Sequence, residues 1–349
     1  MPAEEVRSGG PQDTAAQQET SSDFCTPSRI VYEGGKLRLL HYAPDGPAHR
    51  TPILFIYALI KRAFILDLAP GRSVVQSLVG QGFHVYLTDW IPPTSADSWR
   101  GLDAYVNEDL TSAMRVVTKE RGTKQVSIIG YCQGALLGII YAALHPRQVR
   151  NFVALAIPLE MSAAAALVPA WLSAQTVELI SGLYGNCPAW IFNAFSSMRL
   201  MARLAQFREE LCGRDGRSEV FERFLHWMRS DVPLAGRVFR EVAIEIFGKN
   251  RLVRGELSVG DKSVELERIT CPLLNVVARF DELVPPRACE RLTDLVGSRD
   301  KLSTVFPSSH IGMATGIAAH EKLWPAVGQW FCERDSPRRE VSEPRRARL

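Results

Sequence analysis

Between Pro52 and Leu159 the chain alternates two kinds of segment, and this alternation constrains the fold more than any other feature. "PILFIYAL", "HVYLTDW", "QVSIIG" and "NFVALAIPL" are short, nearly continuous apolar runs. Between them lie "RSVVQSLVGQG", "LDAYVNEDLTSAMRVVTKERG" and "ALLGIIYAALHP", which have helical periodicity or helical composition. A strand that is apolar on both faces needs cover on both. Strands separated by helices can pair in parallel, so the pattern predicts an α/β fold: a mostly parallel sheet with helices on each face. A hairpin across Gly34-Gly35 in "RIVYEGGKLRLLHYA" precedes it.

After Pro158 the rhythm breaks. Residues 160–262 read almost wholly helical, in "AAAALVPAWLSA", "AWIFNAFSSMRLMARLAQ", "SEVFERFLHWMRS" and "AGRVFREVAIEIF". The strand and helix order then resumes in "PLLNVVARF", "RACERLTDLVG", "LSTVFPSSH" and "EKLWPAVGQWFCER". The expected organisation is a core formed by residues 28–159 and 263–332, with a helical cap, 160–262, inserted between strands. Residues 1–27 and the Arg-rich 333–349 are too polar to offset the entropy of ordering and are expected to be disordered tails. Leu179 to Met198 carry no charge, but Gly182, Gly185, Asn186 and Pro188 interrupt the run, so a lid with an apolar face is expected rather than a transmembrane segment.

With 46% hydrophobic and 23% charged residues over 349 positions, the chain has the composition of a soluble globular protein. Its formal net charge of +3 suits an anionic small substrate and is far from a nucleic-acid-binding patch. Seven scattered cysteines with no C-x-x-C pair speak against a zinc site or redox couple and for a reducing compartment. The first residues include acidic side chains and no apolar core of a signal peptide, so the expected location is the cytoplasm.

The chemistry centres on "GYCQG", residues 130–134. A G-x-nucleophile-x-G sequence between a strand and a helix has the form of an α/β-hydrolase elbow, here with Cys132 in the nucleophile position. Gly130 and Gly134 would let backbones pass closely beside a strained turn. The helix N-terminus favours a thiolate, and the Gln133 backbone N–H supplies one oxyanion donor; the second is expected after "PILFIYAL", at Ala58 or its neighbour Leu59. In this fold the order is nucleophile, acid, histidine. Asp281 follows the strand "PLLNVVARF", with Glu282 as a spare carboxylate beside it. His310 follows the strand "LSTVFPSS", alone among seven histidines in standing at a loop after the final strand. Each has a plainer alternative: Cys132 as a thiol packed in a tight turn, Asp281 as a turn cap before Pro285. Asp89 also ends a strand but precedes the nucleophile, which suits a structural or substrate-channel role. No metal site is expected.

These residues resemble the polyhydroxyalkanoate synthases, in particular the short catalytic subunits of the two-subunit, class III type, whose members share the α/β-hydrolase fold. The similarity runs from about Thr51 to Phe331. It rests on "YALIKRAFILDLAPGRSVVQSL", "VYLTDW", "GYCQGALLGIIYAALHP", "FLHWMRSDVPLAGRVFREV", "RLVRGELSVGDKSVELERITCPLLNVVARFDELVPP" and "SSHIGM". The resemblance implies an acyltransferase in which Cys132, assisted by His310 and Asp281, takes a 3-hydroxyacyl group from coenzyme A. It then passes that group to the hydroxyl end of a growing polyhydroxyalkanoate. It further implies no cofactor beyond the coenzyme A thioester substrate, a second synthase subunit or a homodimer, and work at a polyester granule surface. The chain departs from the family pattern at Lys61 and Ala63, around Arg62, where an Asn-Arg-Pro run is usual. Ile91, Ala135 and Ser309 stand where glycines are usual. Two other readings remain: a thioesterase or small-molecule acyltransferase acting on acyl-CoA or a carrier-bound acyl group, and a non-catalytic granule-binding or scaffold homologue.

Overall fold

The computed structural model describes residues 23–161, 173–192, 208 and 219–335. Its main sheet is built from β1 (Arg29–Gly34), β2 (Leu37–Tyr42), β3 (Ile53–Ile56), β6 (Val85–Trp90), β7 (Val126–Tyr131), β8 (Val149–Leu155), β11 (Leu273–Ala278) and β12 (Lys301–Phe306). Two small hairpins complete the strands: β4 (Asp67–Ala69) with β5 (Arg72–Ser73), and β9 (Ser258–Val259) with β10 (Lys262–Ser263). In space the eight strands run β1-β2-β6-β3-β7-β8-β11-β12. The β1–β2 and β2–β6 pairs are antiparallel, and every other pair is parallel. This is the doubly covered, mostly parallel α/β sheet that the apolar runs predict.

The alternation of side chains along each strand divides the core in two. Leu54, Ile56, Ile128 and Phe152 enter one apolar cluster, while Ile53, Phe55, Ile129 and Val153 enter the other on the opposite face. Three helices follow strands as expected: α1 (Val74–Val79), α2 (Thr111–Arg121) and α3 (Gln133–Leu144). A π-helical turn, Ala104–Leu110, leads into α2, and Gly122 ends it at φ 60°. All twelve residues of α3 are buried, which explains its apolar composition on every side.

The insertion between β8 and β11 contains α4 (Ala174–Tyr184), a helix over Glu219–Arg229, and a helix over Gly236–Arg240 that continues as π-helical turns to Gly248. All but the last two residues of "AAAALVPAWLSA" and most of "AWIFNAFSSMRLMARLAQ" lie outside the described residues. The almost wholly helical reading of 160–262 gives way at its end, where the β9–β10 hairpin turns through Gly260 at φ 63°. The helix expected over "RACERLTDLVG" is two short ones, Pro286–Cys289 and Leu292–Leu295, separated by Arg291 at ψ −4°.

The tail boundaries also shift. Phe24 is buried against Phe64, and Thr26 donates its N–H (2.8 Å) and hydroxyl (2.6 Å) to the fully buried Asp67, so residues 23–27 are part of the folded body. At the other end the last helix runs Trp324–Asp335, and Asp335 accepts hydrogen bonds from Thr51, so 333–335 belong to it. The remainder of both expected tails lies outside the described residues.

Candidate active site

β7 ends at Tyr131 and α3 begins at Gln133, so Cys132 must turn the chain alone. It does so at φ 54°, ψ −124°, a conformation that costs a non-glycine residue about 1–3 kcal/mol. Its surroundings hold it there. The Cys132 N–H donates to the Leu155 carbonyl at the end of β8 (2.8 Å), and the Cys132 carbonyl accepts from Ala135 (2.9 Å). A Cβ on Gly134 would fall 2.2 Å from the Ile56 carbonyl oxygen at the end of β3, and one on Gly130 would fall 2.4 Å from Ala135 Cα. Both glycines are therefore required by backbone contact rather than by their own dihedral angles. The thiol itself is half-buried.

The segment after β3 runs beside this turn. Tyr57 N–H donates to Thr88 Oγ1 (3.0 Å) and Leu59 N–H to Gln133 Oε1 (3.1 Å). Leu59 is thereby engaged by a side chain. The Ala58 N–H has no acceptor among the described residues, and the Gln133 N–H, in the first turn of α3, has none within the helix. Of the two loop amides considered from sequence, Ala58 is the one left without an acceptor among the described residues.

Asp281 lies three residues past β11, and its two oxygens have separate tasks. Oδ1 accepts the N–H groups of Leu283 (2.8 Å) and Val284 (2.7 Å), and Oδ2 pairs with His310 Nδ1 at 2.7 Å. The turn-cap reading and the histidine-partner reading of Asp281 are thus both realised. The Cys132 sulfur stands near enough to the His310 ring to act on its charge. Burial acts to lower the His310 pKa, but the Asp281 carboxylate, the Cys132 sulfur and the hydrogen bond to Asp281 outweigh it and raise it well above the ordinary imidazole value. The structure brings Cys132, His310 and Asp281 together from three different loops at the C-terminal ends of parallel strands.

Other residues around the site carry little sequence signal. Glu282 Oε2 accepts the His310 N–H (3.2 Å), and burial raises its carboxyl pKa. The Tyr131 ring stacks on the His310 ring at 5.3 Å, and its hydroxyl donates to the His310 carbonyl. Lys61 makes an ion pair with Asp231 at 2.5 Å, donates to the Met228 carbonyl and lies over the Trp227 ring. Trp227 Nε1 donates to the Arg62 carbonyl (2.8 Å) and Val232 N–H to the Ile60 carbonyl (3.2 Å), so the insertion is fastened to the loop that carries Ala58. Asp89 is buried between Arg38 (3.4 Å) and Arg62 (3.2 Å), outside the Cys132 group. Among the described residues no three His, Cys, Asp or Glu side chains gather as metal ligands would, and none of the six described cysteines forms a disulfide.

The sheet order and the strained turn define an α/β hydrolase, and a family model described as "alpha/beta hydrolase fold" matches residues 51–179. Solved structures show the same fold at low identity. Paleococcus ferrophilus monoacylglycerol lipase has a TM-score of 0.57 and 18% identity, over 86% of this chain and 100% of that one. A putative non-heme bromoperoxidase from Mycobacterium tuberculosis has 0.53 and 13%, over 87% and 98%.

Sequence relatives narrow the assignment. The protein named poly(3-hydroxyalkanoate) polymerase subunit PhaC is 34% identical in Haloferax mediterranei, over 92% of this chain and 68% of that protein. It is 32% identical in Thiocystis violacea (88% and 89%) and 30% in Synechocystis (88% and 85%). The chain belongs to the family of poly(3-hydroxyalkanoate) polymerase PhaC subunits.

Proposed function

We propose that this chain is an acyltransferase that loads a 3-hydroxyacyl group from coenzyme A onto Cys132 and transfers it to the hydroxyl end of a growing polyhydroxyalkanoate. The observation that carries this reading is the convergence of Cys132, His310 and Asp281 in a chain of the polymerase family. His310 Nε2 takes the thiol proton, and the sulfur attacks the thioester carbonyl. The developing oxyanion is met by the N–H groups of Gln133 and Ala58. The C–S bond to coenzyme A breaks, and its sulfur takes the proton from His310 and leaves as a thiol, which returns the imidazole to its basic form.

In the second half, His310 removes the proton of the attacking hydroxyl, a carbon–oxygen ester bond forms and Cys132 is released as thiol. Asp281 orients the imidazole in both halves. Exchange between two thioesters is nearly balanced, and thioester to ester runs downhill, so no cofactor is needed beyond the substrate itself. The insertion between β8 and β11 acts as the cap that keeps water from the acyl-enzyme. Its fastening at Lys61, Arg62 and Ile60 supports that role.

The polymer leaves the protein as an apolar chain, and Leu179, Leu183, Tyr184 and Trp190 expose apolar side chains on the insertion toward such material. In this reading the protein works in the cytoplasm at the surface of a polyester granule, with a second subunit or a second copy of itself. Among the described residues no helix is long and apolar enough to cross a membrane.

The test is incubation with 3-hydroxybutyryl-CoA, following coenzyme A release and the products. Insoluble polyester with one coenzyme A released per unit is expected, and none from Cys132→Ala. Free 3-hydroxybutyrate in place of polymer would move the assignment to a thioesterase. Coenzyme A release by Cys132→Ala at the parent rate would end the thiol mechanism.

A further inference from the structure

His310 is held by more than its side-chain partners. Asp281 fixes the rotation of the ring, but where the ring stands depends on the backbone of the loop that carries it. That peptide is gripped on both sides. Glu282 Oε2 accepts the His310 N–H at 3.2 Å, and the Tyr131 hydroxyl, on a side chain only 1% exposed, donates to the His310 carbonyl. Tyr131 also stacks on the imidazole with rings 28° apart, and Tyr57 meets the Tyr131 ring edge-on at 5.9 Å.

The sequence positions of the two residues carry the argument further. Tyr131 immediately precedes Cys132, and Glu282 immediately follows Asp281. The two segments that supply the side-chain partners of His310 therefore also supply the groups that hold its main chain. A shift of the His310 loop relative to the elbow or to the turn after β11 would have to break one of these contacts. We propose that Tyr131 and Glu282 are positioning residues that fix the His310 imidazole between Cys132 and Asp281 by clamping the His310 peptide. The proposal rests on the reading of Cys132 as nucleophile and His310 as its base.

Three substitutions separate the roles. Tyr131→Phe keeps the ring against His310 and removes only the donated hydrogen bond. Glu282→Ala removes the acceptor of the His310 N–H, and Glu282→Gln keeps a carbonyl oxygen to accept it. The readouts are kcat and KM for coenzyme A release, the melting temperature, and the pH midpoint for alkylation of Cys132 by iodoacetamide. The titratable groups facing His310 are Asp281, Glu282, Tyr131 and Cys132, so the alkylation profile reports on this group.

Tyr131→Phe and Glu282→Ala are expected to lower kcat roughly ten- to a hundredfold through misplacement of the base. KM should stay within about twofold, because the substrate contacts are untouched. The alkylation midpoint should move, since the imidazole facing the thiol is displaced. Glu282→Gln should restore most of the lost rate. Parent kcat and an unmoved midpoint in both Tyr131→Phe and Glu282→Ala would overturn the clamp. So would losses that only track the unfolded fraction, and a Glu282→Gln as slow as Glu282→Ala would remove Glu282 from it. Failure of the underlying nucleophile assignment is read separately, from coenzyme A release by Cys132→Ala.

Discussion

At the scale of single residues, the Asp281–His310 contact makes stability depend on pH. The folded-state pKa of His310 lies above its unfolded value of about 6.5. Stabilisation from the charged imidazolium beside Asp281 is therefore fully present below that value and is lost as pH rises through the folded pKa. Asp281→Asn should lower the free energy of unfolding most near about pH 6 and progressively less at higher pH. Urea unfolding of both proteins across a pH series checks this, and a gap that widened with pH would contradict it. Cys132, Asp281 and His310 were legible in the sequence because an elbow is a local motif and the other two follow strands in a fixed order. Gly130 and Gly134 were legible for a steric reason that the close approaches to Ala135 and Ile56 now specify. The contact of Tyr131 with the His310 peptide was not, nor was that of Glu282, read only as a spare carboxylate, since a side chain that bonds another residue's peptide leaves no pattern of spacing or type to read.

At the scale of elements, the informative contact is the one between the insertion and the loop after β3. Lys61 and Asp231 lie 170 residues apart, form an antiparallel bridge and pair at 2.5 Å with both side chains buried. Burial pushes the Lys61 ammonium pKa down and the Asp231 carboxyl pKa up, and the pairing opposes both shifts. Removing one partner strands the other, so Lys61→Ala should cost about 3–5 kcal/mol. Replacement of both by apolar residues of similar volume, Lys61→Met with Asp231→Leu, should cost much less than the sum of the two single changes. Denaturant titrations of the singles and the double form the required cycle, and additive losses would show that the two side chains act independently. The sequence exposed Lys61 as a departure from the family pattern but offered no sign of its partner. The strands and most helices could be read from periodicity, which is a local property. The β9–β10 hairpin and the break at Arg291 escaped because segments of two to four residues contain too little period to read.

At the scale of the whole molecule, the first described residues act as a strap. Phe24 packs on Phe64, Thr26 and Cys25 bond Asp67, and Arg223 of the insertion reaches the carbonyls of Asp23 and Leu68. The strap thus touches both the sheet body and the insertion. Its composition pointed to disorder because one buried phenylalanine and two small polar residues are invisible in a segment average. Deleting residues 1–27 should lower stability by about 2–4 kcal/mol, from one lost aromatic anchor and the orphaned acceptors of Asp67. Phe24→Ala in the full chain should by itself reproduce a large part of that loss, as measured by urea unfolding; an unchanged midpoint for the deletion would show that the strap is passive. The turn at Cys132 makes a different demand on the whole. The ends of β3 and β8 help to keep its backbone out of its preferred region, so the surrounding sheet acts as a press whose grip is set by global stability. As denaturant or heat weakens that grip, the turn can slacken while the helices and strands remain formed. Enzymatic inactivation would then run ahead of the loss of secondary structure, and the working range of the protein would be narrower than its melting curve implies.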